Sequence, residues 1–197
     1  MSPRAGIAAL ILALVAAGAA HAQDTDGDGA LSALRRTLEL PGHRALMSEI
    51  ATPGATLAPF VTDGCSGGLS TTWAVVADIF PGFAEAHEGR PPWEDCCVAH
   101  DRLYHDAAKA TATTGADESF DARLAADEAL RACVVAGGEA RVEALAARYE
   151  VAPEQVRLAY RAIGEAMFNA VRFGGAPCSG LPWRWGFGYP GCFPALP

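Results

Sequence analysis

The chain has 197 residues, of which 51% are hydrophobic and 19% charged. That balance excludes a disordered chain and supplies a core for one domain or a small pair. Acids outnumber bases by 23 to 15, a net charge of −8, which argues against a nucleic-acid binder, whose affinity rests on Lys and Arg neutralising phosphates.

The first residues carry an export pattern. Arg4 gives a positive start, Gly6 to Ala20 is an unbroken apolar or small run, and Ala20-His21-Ala22 is an A-x-A cleavage pattern. Residues 1–22 are therefore read as a secretory signal peptide, the run being shorter than the ~20 residues of a spanning helix. All six cysteines lie beyond it, and an exported chain with an even cysteine count is expected to form disulfides. Secretion or a periplasmic location follows.

The remainder reads as all-α and loop-rich. Residues 23–59 form an N-terminal segment with helices at Ala30–Leu40, where Leu31, Leu34 and Leu38 share a face, and at His43–Ala51. Residues 52–70 are rich in Gly, Pro, Ser and Thr and read as a loop. Thr71–Phe80 fits a short helix or a hairpin arm. Pro91-Pro92 precede a helix with acids in its first turn, predicted to run to about Ala108. Ser119 is placed as the cap of the next helix, which Gly137-Gly138 end. Residues 138–197 hold two more helices, Glu139–Glu150 and one opened by Pro153, with Val156, Leu158, Ala159, Ile163, Met167 and Val171 as its apolar side. An aromatic tail follows, and Cys178 with Cys192 is the obvious staple for it.

The chemistry concentrates in Cys96-Cys97-Val98-Ala99-His100-Asp101-Arg102-Leu103-Tyr104. On a helix Cys96, Cys97, His100, Asp101 and Tyr104 fall within about 140° of one another. In the following helix Asp127 lies inside the apolar stripe of Phe120, Leu124, Leu130 and Val134, a costly place for an unpaired carboxylate. If Cys96 were bonded to Cys133 across antiparallel helices, Asp127 would lie ~9 Å from the staple, between His100 at ~6 Å and Tyr104 at ~12 Å. It could then accept a hydrogen bond from both and orient His100 as a general base. The plainer alternative pairs Asp127 with Arg131, one turn on.

These residues resemble the secreted phospholipase A2 family. Its helix motif C-C-x-x-H-D-x-C-Y reads here C-C-V-A-H-D-R-L-Y. Its second helix carries an Asp six residues before a Cys, as Asp127 precedes Cys133, and Asp63-Gly64-Cys65-Ser66-Gly67-Gly68 looks like its glycine-rich calcium loop. The resemblance covers residues 60–137. It implies a disulfide-braced core of two antiparallel helices with a calcium loop. His100 would be the general base and Asp127 and Tyr104 its supporting network. Ca2+ would be held by Asp101 and backbone oxygens at Gly64, Ser66 and Gly68, and the disulfides would be Cys65–Cys97 and Cys96–Cys133. The implied activity is calcium-dependent hydrolysis of the sn-2 ester of glycerophospholipids by a His-activated water, with phospholipid at a membrane interface as substrate. The rival is an inactive relative that binds calcium or lipid.

Some features depart from that pattern. Leu103 stands in place of a motif cysteine, Ala126 where the family often has another, the loop after Cys65 is one residue short, and residues 71–92 are longer than usual. Asp24–Gly29 matches half an EF-hand loop, but its twelfth position is Arg35 rather than Glu, so a solvated acidic terminus is the preferred reading. His105-Asp106 points away from the site on the wheel and reads as a surface pair. Zinc at Cys96, Cys97 and His100 is discounted in an oxidising compartment. His43 and His87 read as ordinary. Trp183, Trp185, Phe187 and Tyr189 are read as covering the core in preference to entering lipid.

Overall fold

The computed structural model describes residues 25–62, 64–65, 91–107, 109 and 115–193. The proposed signal peptide, Asp63, Ser66, Gly67, Gly68, the 71–80 segment and His87 lie outside them. Among the described residues there are five α-helices and no strand: α1 (Thr25–Ala51), α2 (Glu94–His105), α3 (Ala116–Glu139), α4 (Val142–Tyr149) and α5 (Pro153–Gly174). The described residues adopt the predicted all-α class.

α3 is the central element, packing against α1, α2 and α5. Its pairing with α2 is antiparallel, since Cys96 meets Cys133, His100 meets Asp127 and Tyr104 meets Arg123. The pairing with α5 is antiparallel too, from Asp127–Arg172 through Arg131–Glu165 to Glu139–Arg157. The two helices approach closely at Gly138, where a Cβ would come within 2.2 Å of the Tyr160 ring.

Three disulfides brace this frame. Cys65–Cys97 ties the preceding loop to α2, Cys96–Cys133 ties α2 to α3, and Cys178–Cys192 closes the tail. One apolar cluster joins α2, α3, α4 and α5 around Leu130, Val134, Leu145, Tyr160 and Met167. A second joins α1, Tyr104 and the tail around Leu46 and Trp185. His100 and Asp127 sit along α2 and α3 where the two clusters meet.

Several expectations need correction. The two N-terminal helices are one, because α1 runs through Pro41. Proline removes one ladder hydrogen bond and crowds the preceding turn, a cost of ~3 kcal/mol, offset here by contacts on both sides of it. Arg36 pairs with Asp117 and Asp121, and the fully buried His43 and Leu46 lie beyond the proline. The half EF-hand pattern gains no support, since Thr25–Gly29 are helical. The Leu31, Leu34 and Leu38 face is exposed rather than core. Ser119 is no cap. It lies in the first turns of α3, fully buried, with its hydroxyl accepting Trp185 Nε1–H at 3.0 Å. On α5 the buried stripe is Val156, Tyr160, Gly164, Met167, Phe168 and Arg172, while Leu158 is 40% exposed.

α2 ends at His105, earlier than predicted, and its last carbonyls are capped by the tail. Tyr104 O accepts Gly186 N–H at 2.7 Å, and His105 O accepts Gly188 N–H at 2.9 Å. Helix-end carbonyls need such partners when buried. The tail also lays Trp185 edge-on against Tyr104, ring centroids 5.0 Å apart, and buries it completely. His105 is consequently buried. The loop supplies Ala58 O to its Nε2 at 2.8 Å, and Phe60 and Phe187 pack on its ring. His105 thus faces chain distant in sequence, while Asp95, Arg102 and Leu103 on the outer side of α2 stay exposed.

Candidate active site

His100 projects from the middle of α2 and is 6% exposed. Its Nε2 lies 2.8 Å from Asp127 Oδ1, and the same oxygen accepts the Tyr104 hydroxyl at 2.7 Å. A carboxylate can only accept, so Nε2 carries the hydrogen and the neutral ring keeps its lone pair on Nδ1. Nδ1 is 3.9 Å from Asp101 Oδ1, too long for a hydrogen bond. The ring is thus held at one nitrogen and basic at the other. The Tyr104 ring lies against it, centroids 4.1 Å apart.

Asp127 is fully buried and three donors satisfy it, the third being Arg172 Nη1 on Oδ2 at 3.0 Å. The Arg131 pairing does not occur, since Arg131 turns outward to Glu165. Arg172 also grips both oxygens of Glu39 on α1, at 2.8 and 2.7 Å. Arg123, fully buried, donates to the Tyr104 hydroxyl at 3.0 Å, to Glu39, and to the Val171 and Arg172 carbonyls at the end of α5. Two carboxylates and two guanidiniums therefore balance inside the protein. Burial, opposed by the Arg123 charge and reinforced by Asp127, keeps the Tyr104 pKa well above its ordinary value. Tyr104 is a hydrogen-bond donor here, not an acid or base.

Asp101 lies one residue on, 19% exposed, and its Oδ2 accepts the Thr62 hydroxyl at 2.6 Å. Gly64 N–H donates in turn to Thr62 Oγ1 at 3.1 Å. Gly64 has φ +72°, and a Cβ there would strike the Glu94 carboxylate, so the position needs glycine. With Cys65 bonded to Cys97, the loop start is fastened along α2 beside Asp101. Ser66 and Gly68, the other suggested oxygen donors, lie outside the described residues. Among the described residues no three His, Cys, Asp or Glu side chains group as a metal cage. A site of one carboxylate and backbone oxygens would not form such a group.

Glu39, Thr62, Arg123 and Arg172 were not singled out in the sequence. Arg123 could have been, since it sits three residues after Phe120 and four before Asp127 on the same stripe. Arg172 likewise follows Phe168 by one turn. Nothing local marks Glu39 or Thr62. No family model, curated protein or solved structure matches the chain.

Two buried histidines give the fold opposite responses to pH. His43 is fully buried, with Nδ1 2.8 Å from Ser119 Oγ. Burial, then the positive charges of Arg123, Arg172 and Arg36, pushes its pKa down to about 3. An unfolded His titrates near ~6.5. The stability His43 confers is therefore present above ~6.5 and lost as pH falls, by about 1.4 kcal/mol per pH unit. For His100, burial opposes the charged form, but the Asp101 and Asp127 carboxylates outweigh it and the pKa is raised. Its contribution is full below ~6.5 and is lost as pH rises through the folded value. Chemical denaturation of calcium-free protein is expected to show greatest stability near pH ~6.5, with a flatter acid limb in His43→Gln. An acid limb of unchanged slope in that variant would contradict the assignment.

Proposed function

We propose that the protein is an exported, calcium-dependent esterase that hydrolyses the sn-2 ester of glycerophospholipids. The observation that carries this reading is the buried His100–Asp127–Tyr104 cluster, with Nδ1 of His100 left basic beside the Asp101 carboxylate, which Thr62 bonds. Its likeness to the phospholipase A2 motif names the substrate class. Disulfide bonding suits an oxidising compartment, and no described helix is long and apolar enough to cross a membrane.

In this reading a water lies against Nδ1 of His100 and attacks the ester carbonyl as its proton passes to the ring. Asp127 holds the Nε2–H and stabilises the imidazolium that forms, as an oriented carboxylate does beside a base. Tyr104 fixes the same carboxylate oxygen. The imidazolium then protonates the departing alkoxide, releasing fatty acid and lysophospholipid, and no side-chain nucleophile is used. Asp101 and Thr62 offer hard oxygens, the chemistry calcium prefers, and Gly64 beside them adopts a positive φ that suits glycine. Calcium, when bound there, supplies positive charge for the oxyanion.

The test is fatty-acid release from phospholipid vesicles with calcium or with chelator. Release that requires calcium is expected. Calcium-dependent stabilisation without release would favour a binding protein, and no response to either ligand would overturn both readings. Asp101→Asn removes the charged ligand while keeping shape and should abolish calcium-dependent thermal stabilisation. A variant that responds like the parent would move the metal elsewhere.

A further inference from the structure

Asp127 needs an explanation beyond its partners on α2. A carboxylate serving a catalytic imidazole must present one oxygen in a fixed plane, and rotation about Cβ–Cγ would carry that oxygen away. Oδ1 already takes two donors, His100 Nε2–H and the Tyr104 hydroxyl. What fixes the second oxygen is Arg172 Nη1, at 3.0 Å. The guanidinium is planar, so its orientation is set in turn by whatever holds its other nitrogen. Glu39 takes Nη2 on both oxygens. Glu39 is also bonded by Arg123, whose Nε reaches the Tyr104 hydroxyl. The contacts thus close a ring through Asp127, Arg172, Glu39, Arg123 and Tyr104, drawn from all four helices around the site. Arg172 has a side chain only 4% exposed, and Glu39 is 13% exposed.

A purely stabilising role is a weak account of this ring. Buried ion pairs roughly break even against apolar replacements of similar volume. What a planar guanidinium bridging two carboxylates does supply is direction, with Nη1 on Asp127 and Nη2 on Glu39. We propose that Arg172 is a positioning residue for the His100–Asp127 pair, clamped in place by Glu39, so that α1 and α5 form part of the catalytic apparatus. This rests on the proposed hydrolase reading for its kinetic consequence, but not for its geometric one.

The experiment compares the parent with Glu39→Gln/Arg172→Met, which removes one charge of each sign and leaves Asp127 and Arg123 balanced. Folding is followed by thermal melting. The His100 Nε2–H is followed by proton–nitrogen NMR, where the Asp127 hydrogen bond protects it from exchange. Turnover is measured on phospholipid vesicles with calcium. A folded double variant should lose the protected Nε2–H signal, and kcat should fall about 100-fold, the scale of an ~1 Å misplacement, with KM little changed. Arg172→Lys, which restores a cation, should recover part of both. A folded double variant that keeps the Nε2–H signal overturns the inference, whatever its kcat. If the parent hydrolyses no ester, the hydrolase reading falls and the NMR signal alone decides the clamp. Should the double variant not fold, Glu39→Gln alone is the milder probe. Faster Nε2–H exchange with kcat lowered about ten-fold supports the clamp, and unchanged exchange overturns it.

Discussion

His100→Gln is expected to lower phospholipid hydrolysis by ~10²–10⁴-fold, the usual contribution of one general base. Glutamine keeps much of the bulk and can still donate toward Asp127 Oδ1, so the Tyr104 and Arg172 contacts with that carboxylate survive. What disappears is the basic lone pair on Nδ1. The variant should therefore fold, keep its three disulfides and still be stabilised by calcium through Asp101. Glu128→Gln on the exposed side of α3 is a suitable control. His105→Gln is not, because His105 is buried against Phe60 and Phe187 and bonded to Ala58 O. Equal activity in the His100 and Glu128 variants would remove His100 from the mechanism.

Asp127→Ala should be the most damaging single change to stability. It strands Arg172 Nη1, the Tyr104 hydroxyl and His100 Nε2 in a dry interior and leaves an excess buried positive charge. Breaking one side of a buried pair typically costs ~3–5 kcal/mol, a large share of the ~5–15 kcal/mol that holds a domain together. For a chain of this size that corresponds to roughly 6–20 °C in melting temperature. Asp127→Asn keeps shape and one acceptor and should cost less stability, yet it too should slow hydrolysis, since an amide orients and stabilises imidazolium poorly. Denaturant titration of the three proteins measures this, and a loss below ~1 kcal/mol in Asp127→Ala would mean that the network is not what holds the seam.

The central pair of helices was legible because two regularities coincide there. Helical period places His100, Tyr104 and the cysteines on one side of α2, and a carboxylate at Asp127 interrupts an apolar stripe that should hold none. Each is a local signal, and the antiparallel pairing that joins them follows from a single cysteine partner choice. The rest of the network was hidden for a physical reason. Arg123 and Arg172 are charged, and hydropathy assigns such residues to solvent, whereas each here is buried by opposite charge from another helix. Glu39, their counter-ion, comes from α1, a helix that passes unbroken through Pro41 against local propensity. His105 was misjudged for a related reason: the wheel gives direction but not what lies there, and the covering tail is some eighty residues away in sequence. The burial of Trp185 was anticipated because the Cys178–Cys192 staple leaves a short aromatic loop few other places to go.

Whether this cluster hydrolyses an ester is tested most directly with vesicles of a phospholipid that carries different acyl chains at sn-1 and sn-2. The parent protein with calcium should release the sn-2 chain selectively, chelator should stop the release, and His100→Gln should reduce it by at least ~100-fold. Absence of release from the folded, calcium-loaded parent, or release undiminished in His100→Gln, would contradict the account.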